Sequence, residues 1–105
     1  MDAALRALAD STRRQILALV WDEERPAGEI AANFSLTRPA ISQHLTVLRE
    51  SRLVSVRQVG TRRLYHANRE AVAQLRAELG AFWDIRIDKL KRAAEAAVKP
   101  KRKKG

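Results

Sequence analysis

The strongest constraint on this chain is a change of hydrophobic period near its middle. Ile41, Leu45 and Leu48 stand at i, i+4 and i+7, one face of a helix. From Leu53 to Val59 the apolar residues become β-branched, with Val54, Val56 and Val59. Gly60-Thr61 separates that run from a second strand-like one, Arg63-Leu64-Tyr65-His66. Two short strands around a glycine read as a hairpin. After Asn68 the helical period returns. Val72, Leu75, Leu79, Phe82/Trp83, Ile87, Leu90, Ala94 and Val98 form one long stripe, in which Gly80 is the expected place for a bend or break.

The first half adds shorter helices. Leu5 and Leu8 mark one that ends near Asp10. Ser11 is then the expected N-cap of a second, with Ile16, Leu17, Val20 and Trp21 as its buried face. Asp22-Glu23-Glu24-Arg25-Pro26 reads as a polar loop closed by proline. A short helix from about Ala27 to Phe34 turns Ile30, Ala31 and Phe34 inward. Ser35-Leu36 leaves room only for a tight turn. Thr37 caps the next helix, which tolerates Pro39 in its first turn and runs out near Ser51. Helix, turn, helix and hairpin in succession is the layout of a winged helix-turn-helix. The expected fold is mainly α with a small β-hairpin, the wing.

Composition narrows the setting. A chain of 105 residues with 46% hydrophobic residues makes one globular domain with a modest core, expected over 1–98. No apolar run approaches the roughly 20 residues of a membrane span. Met1-Asp2-Ala3 lacks the pattern of a secretory leader, so a soluble cytoplasmic protein is the expectation. The absence of cysteine excludes disulfides, thiolate metal sites and cysteine nucleophiles. No catalytic triad, glycine-rich phosphate loop or paired acids with catalytic spacing is visible, which argues against an enzyme.

The net charge of +9 is unevenly placed. Lys99, Lys101, Arg102, Lys103 and Lys104 carry five charges in the tail 99–105, which is expected to be disordered, and leave the body at +4. From Arg38 to Arg69 the chain has seven arginines against one acid, Glu50. A basic excess around a helix and a hairpin points to a polyanion.

The helix from Arg38 to Ser51 has the composition of a base reader. With Ile41, Leu45 and Leu48 turned inward, Arg38, Ala40, Ser42, Gln43 and Thr46 face outward or sideways. Arginine pairs bidentately with guanine and glutamine with adenine, and a small Ala40 permits close approach in the major groove. Arg57, Arg62 and Arg63 flank the hairpin glycine, where they suit phosphate contact or a narrow minor groove. Charges there also protect an exposed strand edge from aggregation.

At these residues a resemblance emerges. Ala7-Leu8-Ala9-Asp10-Ser11-Thr12-Arg13-Arg14-Gln15-Ile16-Leu17 resembles the opening of the ArsR/SmtB (arsenic-repressor) family. Ser42-Gln43-His44-Leu45-Thr46-Val47-Leu48-Arg49-Glu50-Ser51 is similar to its recognition helix, and Leu53-Val54, Arg57, Gly60 and Tyr65 fit its wing. The resemblance covers about residues 3 to 98. It implies a homodimeric repressor of a pseudo-palindromic operator on double-stranded DNA, dimerising through its N- and C-terminal helices. It also implies DNA contacts at Thr37, Arg38, Ala40, Ser42, Gln43 and His44. The dimer interface would be formed by Leu5, Leu8, Leu79, Phe82, Trp83, Ile87 and Leu90. Arg52 stands where the family often has glycine, a position that suits a left-handed helix end.

Many relatives sense metals. The cysteines of one family site are missing from Arg25-Pro26-Ala27-Gly28-Glu29-Ile30, and no histidine follows His66 to complete the other. Asp84, Asp88 and Glu95 alone suit only a hard cation, weakly, and the two aspartates are expected to pair with Lys91, Arg92 or a partner chain. The expectation is therefore no metal and no cofactor, with an effector, small molecule or protein, left open. Two other readings compete with an operator-binding repressor: a non-specific architectural DNA binder that uses its tail, and a winged helix that binds protein.

Overall fold

The computed structural model describes the backbone of residues 1–104 and the side chains of residues 1–97. The expected basic tail, 99–105, lies outside the described side chains. The elements run α1 (Asp2–Leu8), α2 (Ser11–Leu19), β1 (Arg25–Pro26), α3 (Ala27–Ala31), α4 (Arg38–Glu50), β2 (Val54–Val59), β3 (Arg62–Ala67) and α5 (Arg69–Lys104). They fall into two compact units, Met1–Leu75 and Arg76–Gly105.

The core of the first unit is built largely from the faces the periodicity marks, but Trp21, Ala31 and Phe34, expected inward, are only half-buried, and α2 ends before Trp21. Ala7, Ile16, Val20, Ile30, Ile41 and Leu48 are wholly buried, joined by Leu17, Leu45, Leu53, Val54, Ala67 and Leu75. No polar or charged residue is buried among the described residues, so the core carries no desolvation penalty for polar side chains. Two backbone bonds brace the sheet, one to the end of α2 and one that extends the β2–β3 ladder. Ala67 N–H donates to the Val20 carbonyl and Asn68 N–H to the Leu53 carbonyl, each at 2.9 Å.

Several local expectations are corrected. The cap of α2 is Asp10, not Ser11: Asp10 is in extended backbone and its carboxylate accepts from Arg13 N–H at 3.1 Å. Both residues are good caps, and the one whose oxygen reaches the third N–H takes the role. α3 ends at Ala31, short of Phe34. Asn33 and Phe34 N–H bond three residues back, and Asn33 Nδ2 donates to the Glu29 carbonyl at 2.9 Å, which closes the helix early.

The expected loop at Arg25-Pro26 is instead a third strand. β1 pairs antiparallel with β3, Arg25 opposite Tyr65 and Pro26 opposite Leu64, so the sheet has the order β1-β3-β2. Proline fits there because an edge strand does not need every N–H. The wing itself is a tight hairpin with Val54 opposite Ala67 and Val59 opposite Arg62. Gly60, at φ 62°, makes the turn. The long helix runs through Gly80 without a break. Asn68 starts it, its side-chain oxygen accepting from Ala71 N–H at 3.2 Å.

Candidate nucleic-acid interface

α4 is fixed at its start and along its inner face. Thr37 Oγ1 accepts from Ala40 N–H at 3.2 Å, and proline lies in the first turn, where its missing N–H costs nothing. Ile41, Leu45 and Leu48 are buried, so the rotation of the helix is set. At about 100° per residue the opposite side carries Gln43, Thr46, Val47 and Glu50, with Ser42 and the half-buried Ala40 beside them. Thr37, Arg38, Ser42 and Gln43 are exposed. Arg38 lies to the α3 side of this face: its Nη1 stands 3.5 Å from where a Cβ on Gly28 would be.

His44 behaves differently from its neighbours. It is half-buried, and its Nδ1 lies 3.3 Å from Arg13 Nη1. The same guanidinium donates from Nε to the Ala7 carbonyl at 2.6 Å and from Nη2 to the Arg6 carbonyl at 3.1 Å. Arg13 thus links the end of α1 to α4. Asp10 stands next to it, its carboxyl held below the usual carboxylate range by the Arg13 backbone N–H, with attraction from His44 and the Arg13 side chain adding to it. Sequence reasoning singled out His44 but not Arg13, whose partners lie on two other helices.

The three wing arginines have different surroundings. Arg57 is clamped by Glu24, Nε to Oε2 at 2.9 Å and Nη2 to Oε1 at 2.6 Å. That two-pronged bond pulls the Glu24 carboxyl below its ordinary range and pushes the Arg57 guanidinium up. The pair therefore favours the fold at neutral pH, and this contribution is lost in acid as Glu24 takes up its proton. Arg62 and Arg63, by contrast, are exposed at the turn end of the hairpin, with no ion-pair partner among the described residues. Beside the wing root lies a cleft of about 470 Å³ lined by Trp21, Glu24, Arg57, His66 and Arg69. Its charges already satisfy one another: Arg69 bonds the Trp21 carbonyl at 2.6 Å and Asp22 at 3.0 Å, and lies over the Trp21 ring.

The residues expected to form a dimer interface fall in both units. Leu5 and Leu8, on α1, are half-buried. Within the second unit Leu79 is half-buried, whereas Phe82 is 43% exposed, Trp83 52%, Ile87 53% and Leu90 67%. Phe82 and Trp83 meet edge to face at 5.9 Å, and Arg86 lies over the Phe82 ring. Asp88 pairs with Arg92 at 2.9 Å, one of the partners expected for it. Among the described residues no group of three or more His, Asp or Glu side chains is gathered for a metal ion, and no helix is long and apolar enough to cross a membrane.

Comparison with known proteins agrees with this geometry. The family model of bacterial regulatory proteins of the arsR family matches residues 10–56, from the α2 cap into β2. The HTH-type transcriptional regulator Rv2034 of Mycobacterium tuberculosis is 45% identical over 82 residues, 78% of this chain and 77% of that protein. The transcriptional repressor SdpR of Bacillus subtilis is 35% identical over 68 residues, 65% of this chain and 76% of that one. Among solved structures, the homodimeric winged helix-turn-helix DNA-binding domain Mb0332 of Mycobacterium bovis superposes with a TM-score of 0.64. It is 32% identical, and the match covers 84% of this chain and 82% of that one. This chain is a winged helix-turn-helix protein and belongs to the arsR family of bacterial regulatory proteins.

Proposed function

We propose that the protein is a cytoplasmic repressor that binds a pseudo-palindromic operator on double-stranded DNA as a homodimer. One observation carries the reading. α4 is locked by three buried residues and a threonine cap, and it turns Ser42, Gln43 and Thr46 away from the core next to a wing whose Arg62 and Arg63 have no ion-pair partner among the described residues. Such a helix fits a major groove about 12 Å wide, and Arg62 and Arg63 reach phosphates beside it. The dimer is supported by the exposed Phe82, Trp83, Ile87 and Leu90, and by a relative solved as a homodimer. Leu5, Leu8 and Leu79 complete the proposed interface. Repression is supported by the relative named as a repressor. The reading needs no metal, because the chain has no cysteine and its two histidines lie on different elements.

The test is a selection of bound duplexes from a random library, followed by a reporter assay on the recovered site. Recovered sites should show two-fold symmetry with half-sites about 34–36 Å apart. The protein should sediment as a dimer at micromolar concentration and lower reporter expression. A library with no enriched duplex sinks the reading, and a reporter that rises instead reverses the direction of regulation.

A further inference from the structure

We propose that Val47 is a specificity-determining residue that reads thymine through its 5-methyl group. The proposal rests on the reading of α4 as the helix that enters the major groove. Val47 is 36% exposed, on the side of α4 away from Ile41, Leu45 and Leu48. A single exposed valine is ordinary on most surfaces. Its neighbours give this one its meaning.

Thr46 Oγ1 donates to the Ser42 carbonyl at 2.9 Å. Its hydroxyl proton is therefore committed to the helix backbone, and the group Thr46 adds to the outer face is a methyl. Val47 adds two more. The outer face of α4 thus changes character along its length. Ser42 and Gln43 present hydrogen-bonding groups, and one turn later Thr46 and Val47 present methyl groups. Ala40, Gln43 and Val47 follow one another along a single stripe, so the glutamine amide is flanked by apolar side chains.

The major groove has one feature that matches this arrangement. Of the four bases, only thymine places a methyl group there, and apolar side chains recognise it by contact. Glutamine pairs bidentately with adenine in the same groove. Four residues along a helix advance about 6 Å, close to two base-pair steps of about 3.4 Å. The chain then reads an adenine through Gln43 and a thymine methyl within about two base pairs of it.

The experiment uses the full chain and a duplex recovered by selection. Each thymine of a half-site is replaced singly by deoxyuridine, which removes the methyl and leaves the pairing edge intact. Wild type should lose about fourfold in affinity at one thymine per half-site, the weight of one buried methyl group. That thymine should lie within two base pairs of the position whose preference is lost in Gln43→Ala. Val47→Ala should bind the thymine and deoxyuridine duplexes equally at that position while keeping the other preferences. Val47→Thr, which retains one methyl, should keep part of the difference, and thermal unfolding should match wild type in both variants.

The proposal is overturned if no thymine shows the loss, or if Val47→Ala discriminates as wild type does. It is also overturned if Thr46→Ser, and not Val47→Ala, abolishes the difference. These outcomes are distinguishable from failure of the DNA-binding reading itself. In that case no duplex is enriched, and both ideas fall together.

Discussion

The two units treat their apolar residues in opposite ways. In Met1–Leu75, Ile16, Val20, Ile30, Ile41 and Leu48 have no exposed surface. In Arg76–Gly105, Phe82, Trp83, Ile85, Ile87 and Leu90 are all exposed along one helix. The first pattern belongs to a segment that completes its own core. The second fits a segment that packs against a surface outside itself, as the proposed dimer supplies. Exposed aromatic residues grouped on one helix are the usual anchors of protein interfaces. In the dimer proposed above, the same kind of side chain serves the fold in one unit and assembly in the other.

The largest expected effect tests the first half of that contrast. Leu48→Ala removes a wholly buried side chain where α4 meets the sheet, and should cost about 2–5 kcal/mol in urea unfolding. Trp83→Ala comes next. It should weaken dimerisation by about 2 kcal/mol or more, read by sedimentation across a dilution series, with DNA binding falling in parallel. Because the stability of an obligate dimer depends on protomer concentration, unfolding must be compared at one fixed concentration. A Trp83→Ala protein as dimeric as wild type would break the comparison.

A smaller contrast lies within the surface proposed to face DNA. Gln43 stands on a helix whose rotation is fixed, whereas Arg62 and Arg63 stand at a hairpin turn on long side chains. Gln43→Ala should cost about 1–3 kcal/mol on the selected duplex and relax preference at one position in each half-site. Arg62→Ala and Arg63→Ala should weaken all duplexes alike and reduce the slope of log affinity against log salt by about 0.9 for each phosphate left without its arginine. Arg57→Ala serves as the reference. Its guanidinium is held by Glu24, so it should change the salt slope less than either tip arginine.

What the sequence revealed follows from the range of each interaction. α4, its Thr37 cap and the hairpin were legible because their signals are local: a 3.6-residue period, a cap three residues from its donor, and a glycine between β-branched runs. β1 was missed because two residues carry no period and become a strand only when β3 lies beside them. The Glu24–Arg57 and Arg13–His44 contacts were missed because 33 and 31 residues separate the partners. Arg57 looked equivalent to Arg62 and Arg63 on the same grounds. It differs from them only through a carboxylate that the fold brings to it.

After α4 the backbone takes a left-handed conformation that suits glycine, and this chain has arginine there. After α4 the chain closes in two bonds: Arg52 N–H donates to the Arg49 carbonyl at 3.0 Å and Leu53 N–H to the Leu48 carbonyl at 2.9 Å. Leu53 and Leu48 are both buried, which supplies the apolar contact of this helix ending. The geometry requires a left-handed residue between them, and Arg52 takes it at φ 66°. An L-residue there bears about 1–2 kcal/mol of steric cost, which glycine avoids. Glycine also loosens the unfolded chain, which takes back about 0.4–1 kcal/mol. Arg52→Gly should therefore leave stability unchanged or raise it by up to about 1.6 kcal/mol. It should leave base preference untouched, since Arg52 lies beyond the end of the reading face. If the variant is less stable, the guanidinium is contributing something that outweighs the strain. If instead base preference changes, the end of α4 is part of the reading surface, and the boundary between reading helix and wing must move past Ser51.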